Sequence, residues 1–126
     1  MEDLIRLKRD SVYQGHLFEY FHDTMKFPNG NIAVWDHIEH KGAAAVVPVQ
    51  ADGRILMVRQ YRNSVGRETL EIPAGGLESK EEPTLDAALR ELEEETGYKA
   101  GKSEYLISTL AAASLDSASE IFSSVF

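Results

Sequence analysis

An α+β domain, a mixed α/β sandwich, is the fold class this 126-residue sequence predicts. Three observations carry the prediction. One stretch, Glu82 to Gly97, has the apolar spacing of an amphipathic helix. Short runs rich in β-branched and aromatic residues flank it on both sides. Asn29-Gly30 and Asp52-Gly53 are hairpin signals that divide the leading runs into pairs. Strands on either side of a single strong helix imply layers packed on one core.

Taken in order, Val12 to Phe27 carries Val12, Tyr13, Leu17, Phe18, Tyr20 and Phe21, which suits strand structure. Phe27-Pro28-Asn29-Gly30-Asn31 turns the chain, and Ile32-Ala33-Val34-Trp35 returns antiparallel, with His37 to Lys41 as its polar continuation. Gly42 to Val49 reads as a buried strand whose Pro48 marks an edge or bulge. Asp52-Gly53 then leads into Ile55 to Tyr61, expected to pair antiparallel with the preceding strand. Glu71-Ile72-Pro73-Ala74-Gly75-Gly76 reads as an irregular approach to the helix, because proline removes a donor and paired glycines relax the backbone. Proline at 83 is placed for the first helical position, and Gly97 for a left-handed stop. Between them Leu85, Ala88, Leu89 and Leu92 recur at i, i+3, i+4 and i+7, the face expected in the core. Glu104 to Leu110 and Ile121 to Phe126 read as later strands.

The composition excludes several functions. A net charge of −8 and a pI near 4.9 oppose binding of a nucleic-acid backbone, which calls for clustered Lys and Arg. No cysteine is present, which rules out disulfides, thiol catalysis and Cys-type zinc sites and agrees with a reducing compartment. His16, His22, His37 and His40 lack the spacing of a helical zinc site. No apolar run is long enough for a membrane span, and the charged N-terminus does not resemble a signal peptide. A cytoplasmic protein with a small-molecule partner, and neither nucleic acid nor membrane, is the expectation.

The helix is unusual in its charges. Glu91, Glu94 and Glu95 fall on one side of the wheel, and like charges at i,i+4 cost roughly 0.2–0.5 kcal/mol per pair. Anions in the last turn oppose the helix dipole by about 0.3–1 kcal/mol each. A solvated charged face is one reading; a site for a hard divalent cation, which takes oxygen ligands, is the other. Arg90, four residues before Glu94, has the geometry to orient these carboxylates. Glu82 is either a capping residue or part of the catalytic set.

From Gly76 to Tyr98 the sequence GLESKEEPTLDAALRELEEETGY places a glycine, Glu82, Arg90-Glu91-Leu92, Glu94-Glu95 and Gly97 at fixed spacing. This resembles the Nudix box, Gly-x5-Glu-x7-Arg-Glu-U-x-Glu-Glu-x-Gly-U with U aliphatic; Tyr98 departs from it. Outside the box, Pro28-Asn29-Gly30, Glu39-His40-Lys41-Gly42, Gln60-Tyr61-Arg62 and Glu71-Ile72-Pro73-Ala74-Gly75 are similar to the ADP-ribose pyrophosphatase branch of Nudix hydrolases. The resemblance implies a Nudix-like fold with an N-terminal antiparallel strand region at 1–41, the expected dimer contact. A Nudix core follows at 42–126, expected to be cut short before its C-terminal helix.

It further implies a site. Glu91 and Glu95 would be the main ligands of Mg²⁺, with Mn²⁺ as a substitute, and Glu94 a further ligand or water-orienting base. The Ala74 carbonyl would join the metal shell, with Gly75 as the alternative because it intervenes before Gly76. Arg62 would contact the substrate diphosphate, or be a surface cation. Trp35-Asp36 would hold an adenine, or Trp35 would be a core or dimer contact. Leu77 would pack on a ribose or in the core. Arg67 would reach phosphate or pair with Glu68 or Glu71. Glu120 would complete catalysis from a late segment or end a strand. The branch commonly has a proline where this chain has Ser114-Leu115-Asp116. The implied activity is hydrolysis of ADP-ribose or a related nucleoside diphosphate sugar to a nucleoside monophosphate and a sugar phosphate, with a pyrophosphatase for another nucleoside diphosphate sugar as the nearest alternative. A catalytically silent nucleotide-binding module is the rival reading.

Overall fold

The computed structural model describes residues 3–110 and 118–125; Ser114-Leu115-Asp116 and the terminal Phe126 lie outside them. The architecture is α+β, with strands β1 (Ile5–Gln14), β2 (Phe18–Lys26), β3 (Ile32–His40), β4 (Ala43–Val49), β5 (Val58–Arg62), β6 (Arg67–Glu71), β7 (Ala74–Gly76), helix α1 (Thr84–Thr96), then β8 (Lys102–Leu110) and β9 (Ala118–Val125). The chain divides into two compact units, the first built on β1 to β3 and the second on β4 to β9 with α1.

In the first unit the order is β1-β2-β3. β2 and β3 pair antiparallel without slippage from Phe18↔His40 to Lys26↔Ile32, as the Asn29-Gly30 turn predicts; Gly30 takes φ +86°. The stretch from Val12 to Phe27 is two strands rather than one. β1 begins at Ile5 and pairs with β2 through two register shifts. Its charged residues and largely exposed side chains leave no period-two apolar signal to read. Asp23 is buried and is held by both arms of Arg9, at 2.7 and 2.6 Å. That guanidinium keeps its carboxyl below the ordinary range, and also lies 4.8 Å from the Phe21 ring centroid.

The second unit has a sheet of order β7-β4-β9-β8 and a separate β5-β6 hairpin. β4 pairs antiparallel with β7 from Ala43↔Gly76 to Ala45↔Ala74, and parallel with β9 from Ala43↔Ser119 to Val49↔Val125. Burial alternates along β4, placing Ala44 and Val46 in a core with Leu77, Ala87, Ala88, Leu92 and Phe122. Pro48 lies in an interior strand, not at an edge. Val46 donates its N–H to the Pro73 carbonyl at 3.0 Å, so Pro48, two residues on, would donate to the same side, beyond the end of β7. Its carbonyl accepts the Leu56 N–H at 2.9 Å, beside the Val49↔Ile55 bridge, so the proline costs only the reciprocal bond of that one pair.

The expected pairing of Ile55 to Tyr61 with β4 is reduced to one bridge, Val49↔Ile55. β5 instead pairs antiparallel with β6, from Val58↔Glu71 to Arg62↔Arg67, around a turn where Gly66 takes φ +65°. The supposedly irregular approach to the helix ends in β7, short because Pro73 precedes it.

The helix ends as expected, with Gly97 at φ 76° donating its N–H to Glu93 O. It starts one position later than expected: Pro83 has ψ 128° and occupies the N-cap, while its carbonyl accepts the Ala87 N–H at 3.1 Å. Leu85 is exposed and Ala87 is buried, because the face pressed on the sheet is narrower and rotated toward the small residues. No helix among the described residues is long and apolar enough to cross a membrane.

Candidate active site

The last two turns of α1 lie against β7. Glu95 accepts the Ala74 N–H at 3.1 Å. A Cβ built on Gly75 would fall 2.1 Å from the Glu91 carboxyl carbon, so the bare backbone of Gly75 makes the room in which Glu91 sits. Two carboxylates four residues apart are thus brought to one strand edge. Burial raises the Glu95 carboxyl above its ordinary value, with the charge of Glu91 acting in the same direction and the Ala74 N–H opposing both.

Arg90 organises the other side. Its Nε and Nη2 reach Glu82 at 3.2 and 3.4 Å, Nη1 reaches Glu91 at 2.7 Å and Glu94 at 3.4 Å, and Nη2 donates to the Gly76 carbonyl at 3.1 Å. Those acidic partners hold the guanidinium well above its ordinary range. Glu82 does not cap the helix. Its carboxylate bonds Arg90 and accepts the Glu78 N–H at 2.6 Å, which together keep its pKa low. The loop ahead of α1 is therefore tied to the middle of the helix.

The hairpin supplies a second arginine cluster. Arg62 meets Glu71 through Nε at 2.9 and 3.1 Å and through Nη2 at 2.5 Å. The Thr69 hydroxyl also donates to Glu71. Arg62 and Thr69 hold the Glu71 carboxyl down at about 2. Arg62 lies within the electrostatic reach of Glu95, which along with Glu71 raises its own pKa. Arg67, directly across the hairpin from Arg62, pairs with neither Glu68 nor Glu71: Arg59 takes Glu68 at 3.6 Å and Arg62 takes Glu71. With Arg59, Glu68, Thr69 and Leu70 it lines an open cleft of about 390 Å³.

A NUDIX domain model matches residues 39–119, more than half of the chain. The chain belongs to the Nudix family. It is 42% identical over 96 residues to an ADP-ribose pyrophosphatase of Bacillus subtilis, covering 76% of this chain and 51% of that protein. It is 40% identical over 102 residues to a methanol dehydrogenase activator of Bacillus methanolicus, covering 81% and 55%. An ADP-ribose pyrophosphatase of Mycobacterium tuberculosis is 36% identical over 105 residues, covering 83% and 51%. The chain thus spans about half the length of these relatives. In fold it is similar to a crystal structure of an ADP compounds hydrolase, with TM-score 0.82 at 24% identity, covering 99% of this chain and 68% of that one.

Within this Nudix chain the box residues Glu82, Arg90, Glu91 and Glu95 are gathered by α1, β7 and the intervening loop. Glu94 stands apart, its side chain 59% exposed; at about 100° per residue it points roughly 100° away from Glu95. Among the described residues no three His, Cys, Asp or Glu side chains converge as a ready ligand set. The Glu91 and Glu95 pair nevertheless suits a hard divalent cation, since Mg²⁺ commonly uses one or two carboxylates together with substrate phosphates, and the mutual repulsion of the pair would be relieved by one.

Leu77 and Glu120 each have a partner within the fold. Leu77 is 7% exposed and packed in the core, with its N–H donated to Gly42 O at 3.1 Å, so it has no surface to offer a ribose. Glu120 accepts the Thr84 hydroxyl at the start of α1. In the sheet it lies across β4 from Gly75, since both pair with Ala44, which is two strand spacings or roughly 10 Å. Trp35 and Asp36 belong to the first unit. Trp35 packs edge-on to Phe27 with centroids 5.8 Å apart, and Asp36 accepts the Tyr20 hydroxyl at 2.7 Å. Sequence reasoning missed Glu71 as the partner of Arg62 and Thr69 as the partner of Glu71. Their signal is the hairpin register, which becomes visible only once β5 is paired with β6.

Proposed function

We propose that this chain hydrolyses the diphosphate bond of a nucleoside diphosphate sugar, with ADP-ribose as the leading substrate, giving AMP and a sugar phosphate. The observation that carries this reading is the Glu91 and Glu95 pair, set against the bare backbone of Gly75 and the N–H of Ala74 with Arg62 in electrostatic reach. The names of the relatives from Bacillus subtilis and Mycobacterium tuberculosis support the choice of substrate.

Glu91 and Glu95, with the Ala74 carbonyl, would hold Mg²⁺ or Mn²⁺. When bound, such a cation polarises phosphoryl oxygens and lowers the pKa of an attacking water. Water oxygen bonds to one phosphorus, the bridging P–O bond breaks, and the second phosphate departs with the electron pair. Glu94 orients that water or accepts its proton. It is the better supported of the two candidate bases, because its carboxylate is largely in solvent whereas Glu120 is engaged by Thr84. Arg90 and Glu82 position Glu91 and the box loop. Arg62 and Arg67 neutralise the diphosphate, a role favoured by their direct opposition across the hairpin, where like charges repel. Trp35 and Asp36 are proposed for the adenine.

A homodimer joined through the N-terminal strands is part of the proposal, supported by the exposed side chains of Ile5, Leu7, Ile32 and Val34. A panel of nucleoside diphosphate sugars with Mg²⁺ or Mn²⁺, a chelator control and identification of products tests the activity. Release of AMP from ADP-ribose, abolished by chelator, is expected. Binding of ADP-ribose without any monophosphate released from the panel would overturn it in favour of a silent module.

A further inference from the structure

Arg62 is held in a particular way. A guanidinium has two edges that each offer a pair of parallel N–H groups, one formed by Nε and Nη2 and the other by Nη1 and Nη2. Glu71 occupies the first edge completely, with contacts from Nε at 2.9 and 3.1 Å and from Nη2 at 2.5 Å. Nη1 makes no hydrogen bond among the described residues, and the Arg62 side chain is 43% exposed. Behind the pair, Thr69 donates its hydroxyl to the same Glu71 carboxylate and also lies within 3.2 Å of the Gln60 carbonyl. Gln60 and Thr69 are register partners, two pairs removed from Val58↔Glu71 and so on the same hairpin face by alternation.

We infer that Glu71, braced by Thr69, is a positioning residue that fixes the Arg62 guanidinium so that its free Nη1–Nη2 edge is presented to a diphosphate. The inference rests on the diphosphate reading and adds to it a residue that touches no substrate atom. An exposed arginine on its own samples many rotamers, and binding must first immobilise it. A carboxylate bound along one edge immobilises it in advance while leaving a second bidentate face for phosphate. The arrangement differs from an ordinary surface ion pair, which is monodentate or mobile and contributes little. It also explains why Glu71 lies beside a cation that the site needs, where simple charge reasoning would place no acid.

A double-mutant cycle read by calorimetric titration with inorganic pyrophosphate in Mg²⁺ buffer tests this, because binding is measured without turnover. Glu71→Ala is expected to weaken pyrophosphate binding about tenfold when Arg62 is present and to have no further effect in an Arg62→Ala background, the non-additivity of residues acting as a unit. Thr69→Val, which keeps the hairpin's β-branched residue, should weaken binding less and again only with Arg62 present. It serves as the arm that survives if Glu71→Ala fails to fold. Effects of Glu71→Ala or Thr69→Val that add to that of Arg62→Ala, tighter binding on loss of Glu71, or no pyrophosphate binding by the wild type would each overturn the inference. AMP release from ADP-ribose by the same wild-type preparation separates this outcome from failure of the functional reading itself.

Discussion

Glu95 is ionised at a cost, since both burial and the neighbouring Glu91 charge disfavour its carboxylate. Removing that charge should separate function from stability. Glu95→Gln is expected to lose nearly all turnover while melting at or above the wild-type temperature; wild-type activity in this variant would refute the metal assignment. Glu71 has the opposite sign. Its carboxyl is depressed from 4.5 to about 2 by Arg62 and Thr69, so the stability it contributes is present in full above pH 4.5 and disappears as pH falls toward 2. The melting-temperature gap between wild type and Glu71→Gln should therefore be constant from pH 7 to pH 5 and close below that, as thermal scans across the acid range would record. How much of this was legible in sequence differs residue by residue. Arg90 could be read from its spacing to Glu94, since a helix makes such neighbours local. The bond between Arg62 and Glu71 depends on hairpin register, and no local spacing rule predicts it.

Among the elements, α1 and β7 form one working part. Gly75→Ala would push a Cβ into the space of the Glu91 carboxylate. Because that carboxylate ends a flexible side chain, the backbone need not move, and stability should change little. Activity should fall at least about tenfold, the scale on which a misplaced catalytic group is felt; equal loss of stability and activity would refute the assignment. At the other end, Gly97 sits at φ 76°, so Gly97→Ala should cost roughly 1 kcal/mol in a urea titration through backbone strain. The helix was legible because its period, its proline and its closing glycine are all short-range signals. β1 was not, because its exposed and charged side chains carry no alternation. β6 was not, because Arg67 to Glu71 is as polar as a loop, and β5 was assigned to β4 when the shorter connection to β6 prevailed. Leu77 was readable as either a core or a ribose residue, and only packing decided between them.

The whole chain presents a small anionic surface, net charge −8, to an anionic substrate. The cation and the arginines must therefore overcome an unfavourable field, and raising salt should lower the KM for ADP-ribose or leave it unchanged, in contrast to a basic protein, where screening raises it. Steady-state kinetics at low and physiological ionic strength distinguish the two. The proposed dimer belongs to this scale as well: sedimentation should return twice the 14.0 kDa chain mass, and charged substitutions at Ile32 and Val34 should shift it toward the monomer. The parallel pairing of β4 with β9 has a consequence in time. Between these strands runs every other element described in their unit, so a long loop must close before their contacts stabilise anything. β7 and α1, by contrast, follow β4 after a shorter interval. During folding the edge that bears Glu91 and Glu95 can assemble before the strand that completes the sheet, and β9 amides should be among the last of the unit to gain protection from hydrogen exchange.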